Sequence, residues 1–133
     1  MIYGIGTDIV QISRMQDALV RNGERFAEKI LGPEELIIYR ERKALVEARG
    51  LRYLATRFAA KEAFSKAVGM GMRAPMNWHA IQTLNNEQGQ PVVHTYDDML
   101  HWMRERGLNT RISVSDETDY AIAFVVLEQS LLK

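Results

Sequence analysis

The 133-residue chain reads as α+β, a single domain over residues 1–133 in which a mostly antiparallel sheet of about five strands packs with helices. Three observations predict this class. A two-residue alternation opens the chain over residues 2–10 and returns over 79–84, 91–96, 111–115 and 120–128. A helical period fills the stretch between. The resulting order, one strand, several helical segments, two strands, a helix and two more strands, contains no βαβ unit that would call for a parallel sheet.

In the first strand Tyr3, Ile5, Thr7 and Ile9 share one side, while Gly4, Gly6 and Asp8 leave the other nearly bare. Ser13 followed by Gln16 matches a capping box, which starts a helix at about Arg14, and Gly23 interrupts or ends it. A second helical stretch runs to about Leu31. Gly32 stops it, and Pro33, Glu34 and Glu35 suit the first turn of a third helix. Gly50 is expected to separate that helix from the next. Residues 54–68 carry the strongest helical signal, rich in Ala, Lys and Glu with no internal Gly or Pro, and end at Gly69 and Gly71. At about 100° per residue, Ala59, Ala60, Ala63, Phe64, Ala67 and Val68 form one apolar half that faces the core. Its alanines permit close approach by a neighbouring backbone. Residues 85–89 turn between two strands, Asp97 caps a helix ending at Gly107, and residues 116–119 turn the closing hairpin.

Hydrophobic residues make up 47% of the chain and charged residues 26%, the balance of a folded globular protein rather than a disordered or fibrous one. Seventeen Lys plus Arg balance seventeen Asp plus Glu, which removes the electrostatic default for a nucleic acid or membrane partner. The absence of cysteine excludes disulfides, thiolate nucleophiles and thiolate-bound zinc. The first residues lack a basic region and their apolar run is cut by Asp8, so the expectation is a cytoplasmic protein with neither secretion signal nor membrane anchor.

Charge is nevertheless uneven. Residues 40–66 hold Arg40, Arg42, Lys43, Arg49, Arg52, Arg57, Lys61 and Lys66 against Glu41, Glu47 and Glu62, which is either a solvated helical face or an anion site. The polar half of the strong helix sets Glu62 among Arg57, Lys61 and Lys66. Taken alone, Glu62 and Lys66 are an i, i+4 pair on a wet surface. Asp8 alters that reading, because a carboxylate at the end of an apolar strand is costly to bury without a cation or donors. If this strand packs on the alanine-rich helix, Asp8 and Glu62 supply two hard oxygen ligands for Mg2+, with water and substrate phosphate completing the shell. The combination points to phosphoryl-type transfer, in which positioning and charge neutralisation do most of the catalysis.

Other features carry less. Gly4 and Gly6 do not make a dinucleotide fingerprint, since Ile9 holds the third glycine position. His79, His94 and His101 have no metal-cluster spacing and are expected to be surface or structural. Arg14, Arg21 and Arg25 align as a basic stripe beside Met15, Leu19 and Phe26 if the helix runs through Gly23, a face suited to an acidic protein helix.

The opening GIGTDIV, followed about fifty residues later by RFAAKEAFSKAVG, resembles the holo-acyl-carrier-protein synthases, small members of the phosphopantetheinyl transferase superfamily. The resemblance spans essentially the whole chain, and the closing RISVSDETDYAIAFVVLE is similar to the family's final hairpin. It implies transfer of the 4′-phosphopantetheine arm from coenzyme A to a serine of apo acyl carrier protein, with release of adenosine 3′,5′-bisphosphate. It also implies a Mg2+ requirement, a homotrimer with sites at subunit interfaces, and a place in fatty acid biosynthesis. By the same resemblance Asp8 and Glu62 are the metal ligands and Lys66 closes the catalytic motif. Arg57, Lys61, Lys66, Gly69 and Gly71 match the stretch that meets coenzyme A phosphates, and Arg14, Arg21 and Arg25 suit the acidic carrier protein. Many members have a histidine where this chain has Arg111, and a guanidinium cannot serve as a base. The base is left open between a metal-bound water and Glu62. The rival reading is a non-catalytic module binding RNA or a nucleotide through the 40–66 cluster; the neutral charge and lack of interleaved aromatics count against it.

Overall fold

The computed structural model describes residues 1–130, and the last three residues of the expected domain lie outside it. Strand β1 (Ile2–Gln11) leads into helices α1 (Ile12–Asn22), α2 (Glu24–Ile30), α3 (Pro33–Leu45) and α4 (Glu47–Val68). The hairpin β2 (Ile81–Asn85) and β3 (Pro91–Thr95), helix α5 (Asp97–Glu105), and the hairpin β4 (Leu108–Asp116) and β5 (Tyr120–Gln129) follow. The order is the one expected of an α+β chain. The strands are all paired antiparallel, but they form two sheets, β1-β5-β4 and β2-β3, instead of one. Alternation in sequence shows that a strand has a buried face and does not say which strand it pairs with.

The larger sheet lies on α4 because of what β1 lacks. A Cβ on Gly6 would stand 1.9 Å from the Ala63 carbonyl oxygen, and one on Gly4 would stand 2.1 Å from that of Ala67. Backbone therefore meets backbone, with the alanine stripe Ala59, Ala60, Ala63 and Ala67 buried beneath the strand. On β5, Ala121, Ala123, Val125 and Leu127 point into this core while Ile122 and Phe124 point out. Helix α5 contributes Met99 and Met103 to the same core. A second core gathers Ala27 and Ile30 from α2, Leu31 just after it, Tyr39 from α3, and Tyr53 and Leu54 from α4.

Three local expectations are corrected. Helix α1 starts at Ile12 with Gln11 before it and no side-chain cap, so Ser13 and Gln16 are not a capping box. Asp97 makes no capping bond either; it is the first residue of α5, with φ 53. Gly50 does not separate two helices. The break falls at Val46, and Gly50 sits inside α4, where a Cβ would come within 2.8 Å of the Lys43 Cα. Its small size serves the crossing of α3 and α4 rather than a turn.

The N-terminus of α3 is held by a buried ion pair. Glu35 Oε1 accepts from the Gly32 N–H at 2.9 Å and lies 2.9 Å from Lys61 Nζ, while Oε2 accepts from the Thr83 N–H at 2.8 Å. Lys61 Nζ also donates to the carbonyls of Trp78 at 2.6 Å and Ile81 at 2.8 Å. Neither side chain is exposed at all. Such a pair persists because every donor and acceptor is satisfied. It ties α3, α4 and β2 together. Gln82 completes the join by accepting from the N–H groups of Glu34 and Glu35.

Candidate functional site

Asp8 shares the α4-facing side of β1 with Gly4 and Gly6, so the close strand-helix contact carries its carboxylate to the last turns of α4. There Lys66 Nζ donates to Asp8 Oδ1 at 3.1 Å and to the Thr7 carbonyl at 2.9 Å. Asp8 is 15% exposed and Lys66 52%, an arrangement open on one side to solvent. Glu62, one turn before Lys66, is half-buried. Its carboxyl is pushed above the ordinary value, first by burial and next by the negative charge of Asp8, with Lys66 pulling the other way. The structure thus brings Asp8, Glu62 and Lys66 together.

The donor set suits a hard cation. Among the described residues no group of three or more His, Cys, Asp or Glu surrounds a common point, which disfavours an all-protein cage. A carboxylate whose proton affinity is raised by a neighbouring one, as that of Glu62 is by Asp8, is what Mg2+ relieves, and Mg2+ usually retains waters and substrate oxygens beyond one or two carboxylates.

Gly69 caps α4 in the left-handed conformation, φ 93, and its N–H donates to Ser65 O at 3.1 Å, joined by Gly71 N–H at 3.3 Å. The space on the side-chain side of both glycines is open. Lys61 stands apart from this arrangement. The helical wheel put it on the polar half, but its ammonium is enclosed with Glu35, and burial pulls its pKa below the ordinary value against the pull of Glu35. It does not reach the surface on which Lys66 sits.

Arg57 belongs to a different concavity of about 310 Å³, lined also by Arg42, Arg49, Arg52, Asn85 and Asp116. Only 4% exposed, its guanidinium donates to Thr83 O at 3.0 Å, Thr56 Oγ1 at 3.2 Å and Asn85 Oδ1 at 3.2 Å. Burial holds its pKa below the ordinary arginine value, yet the group remains a cation. Beneath it lies Tyr53, whose phenol is pushed up to about 12 by burial. Arg42, Arg49 and Arg52 are site residues that sequence reasoning missed individually. Their signal was the basic excess over residues 40–66, and placing a helix break at Gly50 hid the fact that Arg49, Arg52 and Arg57 share one helix.

Arg21 and Arg25 line a second concavity of about 510 Å³ with Asn22, Phe26 and Lys29. Gly23, φ 67, breaks the helix there, so Arg14, Arg21 and Arg25 do not form one continuous stripe; Arg14 is exposed on α1 outside that lining. Arg111 is paired with Glu128 on the adjacent strand at 2.6 Å. His79 bonds to Glu28 O at 2.9 Å, a structural contact, and His94 and His101 are exposed.

Comparison with known proteins bears on this site. A family model described as the 4′-phosphopantetheinyl transferase superfamily matches residues 4–125. The chain is 59% identical over 129 residues to the holo-[acyl-carrier-protein] synthase of Herminiimonas arsenicoxydans, covering 97% of this chain and 99% of that one. It is similar in structure to the holo-[acyl-carrier-protein] synthase of Neisseria meningitidis, with a TM-score of 0.89 and 41% identity over 97% of this chain and 100% of that one. It also resembles the Bacillus anthracis holo-(acyl-carrier-protein) synthase in complex with CoA (3′,5′-ADP), with a TM-score of 0.81 and 35% identity over 98% and 99%.

Proposed function

Because the chain belongs to the 4′-phosphopantetheinyl transferase superfamily, we propose that it transfers the 4′-phosphopantetheine arm from coenzyme A to a serine of apo acyl carrier protein. In this reading the reaction requires Mg2+ and releases adenosine 3′,5′-bisphosphate. The observation that carries it is the meeting of Asp8, Glu62 and Lys66 where β1 crosses the end of α4.

Asp8 and Glu62 hold the metal, which when bound neutralises charge on the diphosphate of coenzyme A. Lys66, anchored to Asp8 and Thr7, extends its ammonium beside that site and neutralises charge on the transferring phosphate. The serine proton would pass to Glu62 or to a water beside it. The open backbone at Gly69 and Gly71 admits the phosphates. Arg57, with Arg42, Arg49 and Arg52, receives the anionic nucleotide end of the donor.

The acidic carrier protein docks on Arg14, Arg21 and Arg25, the last two beside the half-buried Phe26. Self-association into a homotrimer is part of the same reading. It is supported by the outer face of the larger sheet, where exposed Ile9 lies opposite exposed Ile122 and exposed Phe124 opposite Thr7. An apolar sheet face of this kind calls for a cover. Action in the cytoplasm, in fatty acid biosynthesis, completes the proposal; no helix among the described residues is long and apolar enough to cross a membrane.

The test is mass spectrometry of apo acyl carrier protein incubated with the protein, coenzyme A and Mg2+. A gain of one pantetheine arm, lost when a chelator is added, is expected. No gain at any Mg2+ concentration overturns the proposal.

A further inference from the structure

We infer that Tyr53 is a positioning residue for coenzyme A, its ring face holding the guanidinium groups of Arg42 and Arg57 in the geometry that receives the donor's anionic end. This rests on the reading of the arginine pocket as the donor's anion site. Arg42 comes from α3 and Arg57 from α4, yet both lie over one ring, with Cζ atoms 4.8 Å and 4.4 Å from its centroid. The ring is 2% exposed, and a cation over a desolvated aromatic face is held more firmly than one in water.

Arg57 is held in addition by three hydrogen bonds and by the charge of Glu35, but Tyr53 is the contact it shares with Arg42. The acceptors of Arg57 are the oxygens of Thr83, Thr56 and Asn85, all neutral. Among the described residues Arg42, Arg49, Arg52 and Arg57 take part in no ion pair, and Asp116 is the single carboxylate in the lining. Cations left so crowded repel one another and spread unless something fixes them before the anion arrives. The π face of Tyr53 does this for two of them without neutralising their charge, as a carboxylate would. The Tyr53 hydroxyl also lies near enough to Arg57 to interact with it, short of a well-formed hydrogen bond, so the ring and the hydroxyl are separated by Tyr53→Phe.

The test keeps the shape of the side chain and removes its negative face. In the full-length enzyme, Tyr53→Phe is followed by phenylalanines of increasing ring fluorination at that position, up to Tyr53→pentafluorophenylalanine. Steady-state transfer to apo acyl carrier protein gives kcat and the KM for coenzyme A; calorimetry gives the affinity for adenosine 3′,5′-bisphosphate, and thermal melting checks the fold. Tyr53→Phe is expected to match the parent protein within about twofold, with two cation–π contacts retained. Along the fluorinated series the KM for coenzyme A should rise stepwise by about five- to thirty-fold, with kcat and the KM for carrier protein held. Affinity for the bisphosphate should fall in step. A flat series in an active enzyme overturns the role of Tyr53 and leaves the proposed function standing. A KM rise confined to variants whose melting temperature drops also overturns it, as does a rise already complete in Tyr53→Phe. A parent protein that transfers nothing removes the function and this inference with it.

Discussion

Lys66, in the last turn of α4, donates to Asp8 on β1 across 3.1 Å rather than pairing with Glu62 one turn back on its own helix. The i, i+4 spacing of Glu62 and Lys66 suggested a surface pair, and the bare face of β1 supplied a better partner by carrying Asp8 within reach. Lys66 is half exposed, so its loss costs the fold little, at most about 1 kcal/mol by analogy with surface pairs. Lys66→Met should therefore melt close to the parent protein while kcat falls about 10²- to 10³-fold, the usual effect of removing one charge-stabilising donor. Paired melting and steady-state transfer assays check this, and an unchanged kcat removes Lys66 from the catalytic set.

Glu62 makes stability depend on pH in a definite sense. Burial and Asp8 raise its pKa above the ordinary 4.5 in the folded chain. From there up through the raised value the folded state holds more protons than the unfolded one, so stability falls as pH rises across that window. Denaturant melts of the metal-free protein should show this slope, Glu62→Gln should flatten it, and Asp8→Asn should shrink it. A slope of the opposite sign contradicts the geometry of the pair.

The Lys61–Glu35 pair belongs to the fold and is outside the surface of the reaction site. Lys61→Met leaves an unpaired carboxylate in the core and should cost about 3–5 kcal/mol in urea melts. Adding Glu35→Gln to it should restore more than half of the loss, because the buried charge then disappears from both sides. Equal or greater loss in the double variant contradicts that explanation.

Arg14 and Arg21 are exposed on α1 and do not line the arginine pocket. Arg14→Glu and Arg21→Glu should each raise the KM for acyl carrier protein about tenfold or more, since like-charge juxtaposition costs several kcal/mol at an interface. The KM for coenzyme A should hold. A parallel rise in both constants assigns the effect to folding instead.

The grouping of Asp8, Glu62 and Lys66 in the candidate site was legible in the sequence because its signals are local: a carboxylate ending a Gly-interrupted strand, and a Glu-Lys pair on an alanine-rich helix. What lay hidden is three-dimensional. Lys61 looked like a surface cation on the wheel, and only its partner Glu35, on another helix, makes it a core residue. Gly50 looked like a helix break because nothing in its neighbourhood reveals that Lys43 crosses there. The grouping of Arg42 with Arg57 likewise depends on Tyr53, whose burial between helices no local pattern announces. Strand pairing into two sheets was invisible for the same reason.

The central claim, that Asp8 and Glu62 together hold the Mg2+ on which transfer depends, is tested most directly by calorimetric titration of Mg2+ into the protein with coenzyme A present. The parent protein should bind one ion per chain. Changes to groups that merely support a ligand cost 10- to 100-fold in metal affinity, so Asp8→Ala and Glu62→Ala, which remove ligands outright, should each weaken binding by at least about 100-fold. Parent-like Mg2+ affinity in both variants, with transfer intact, would contradict the account.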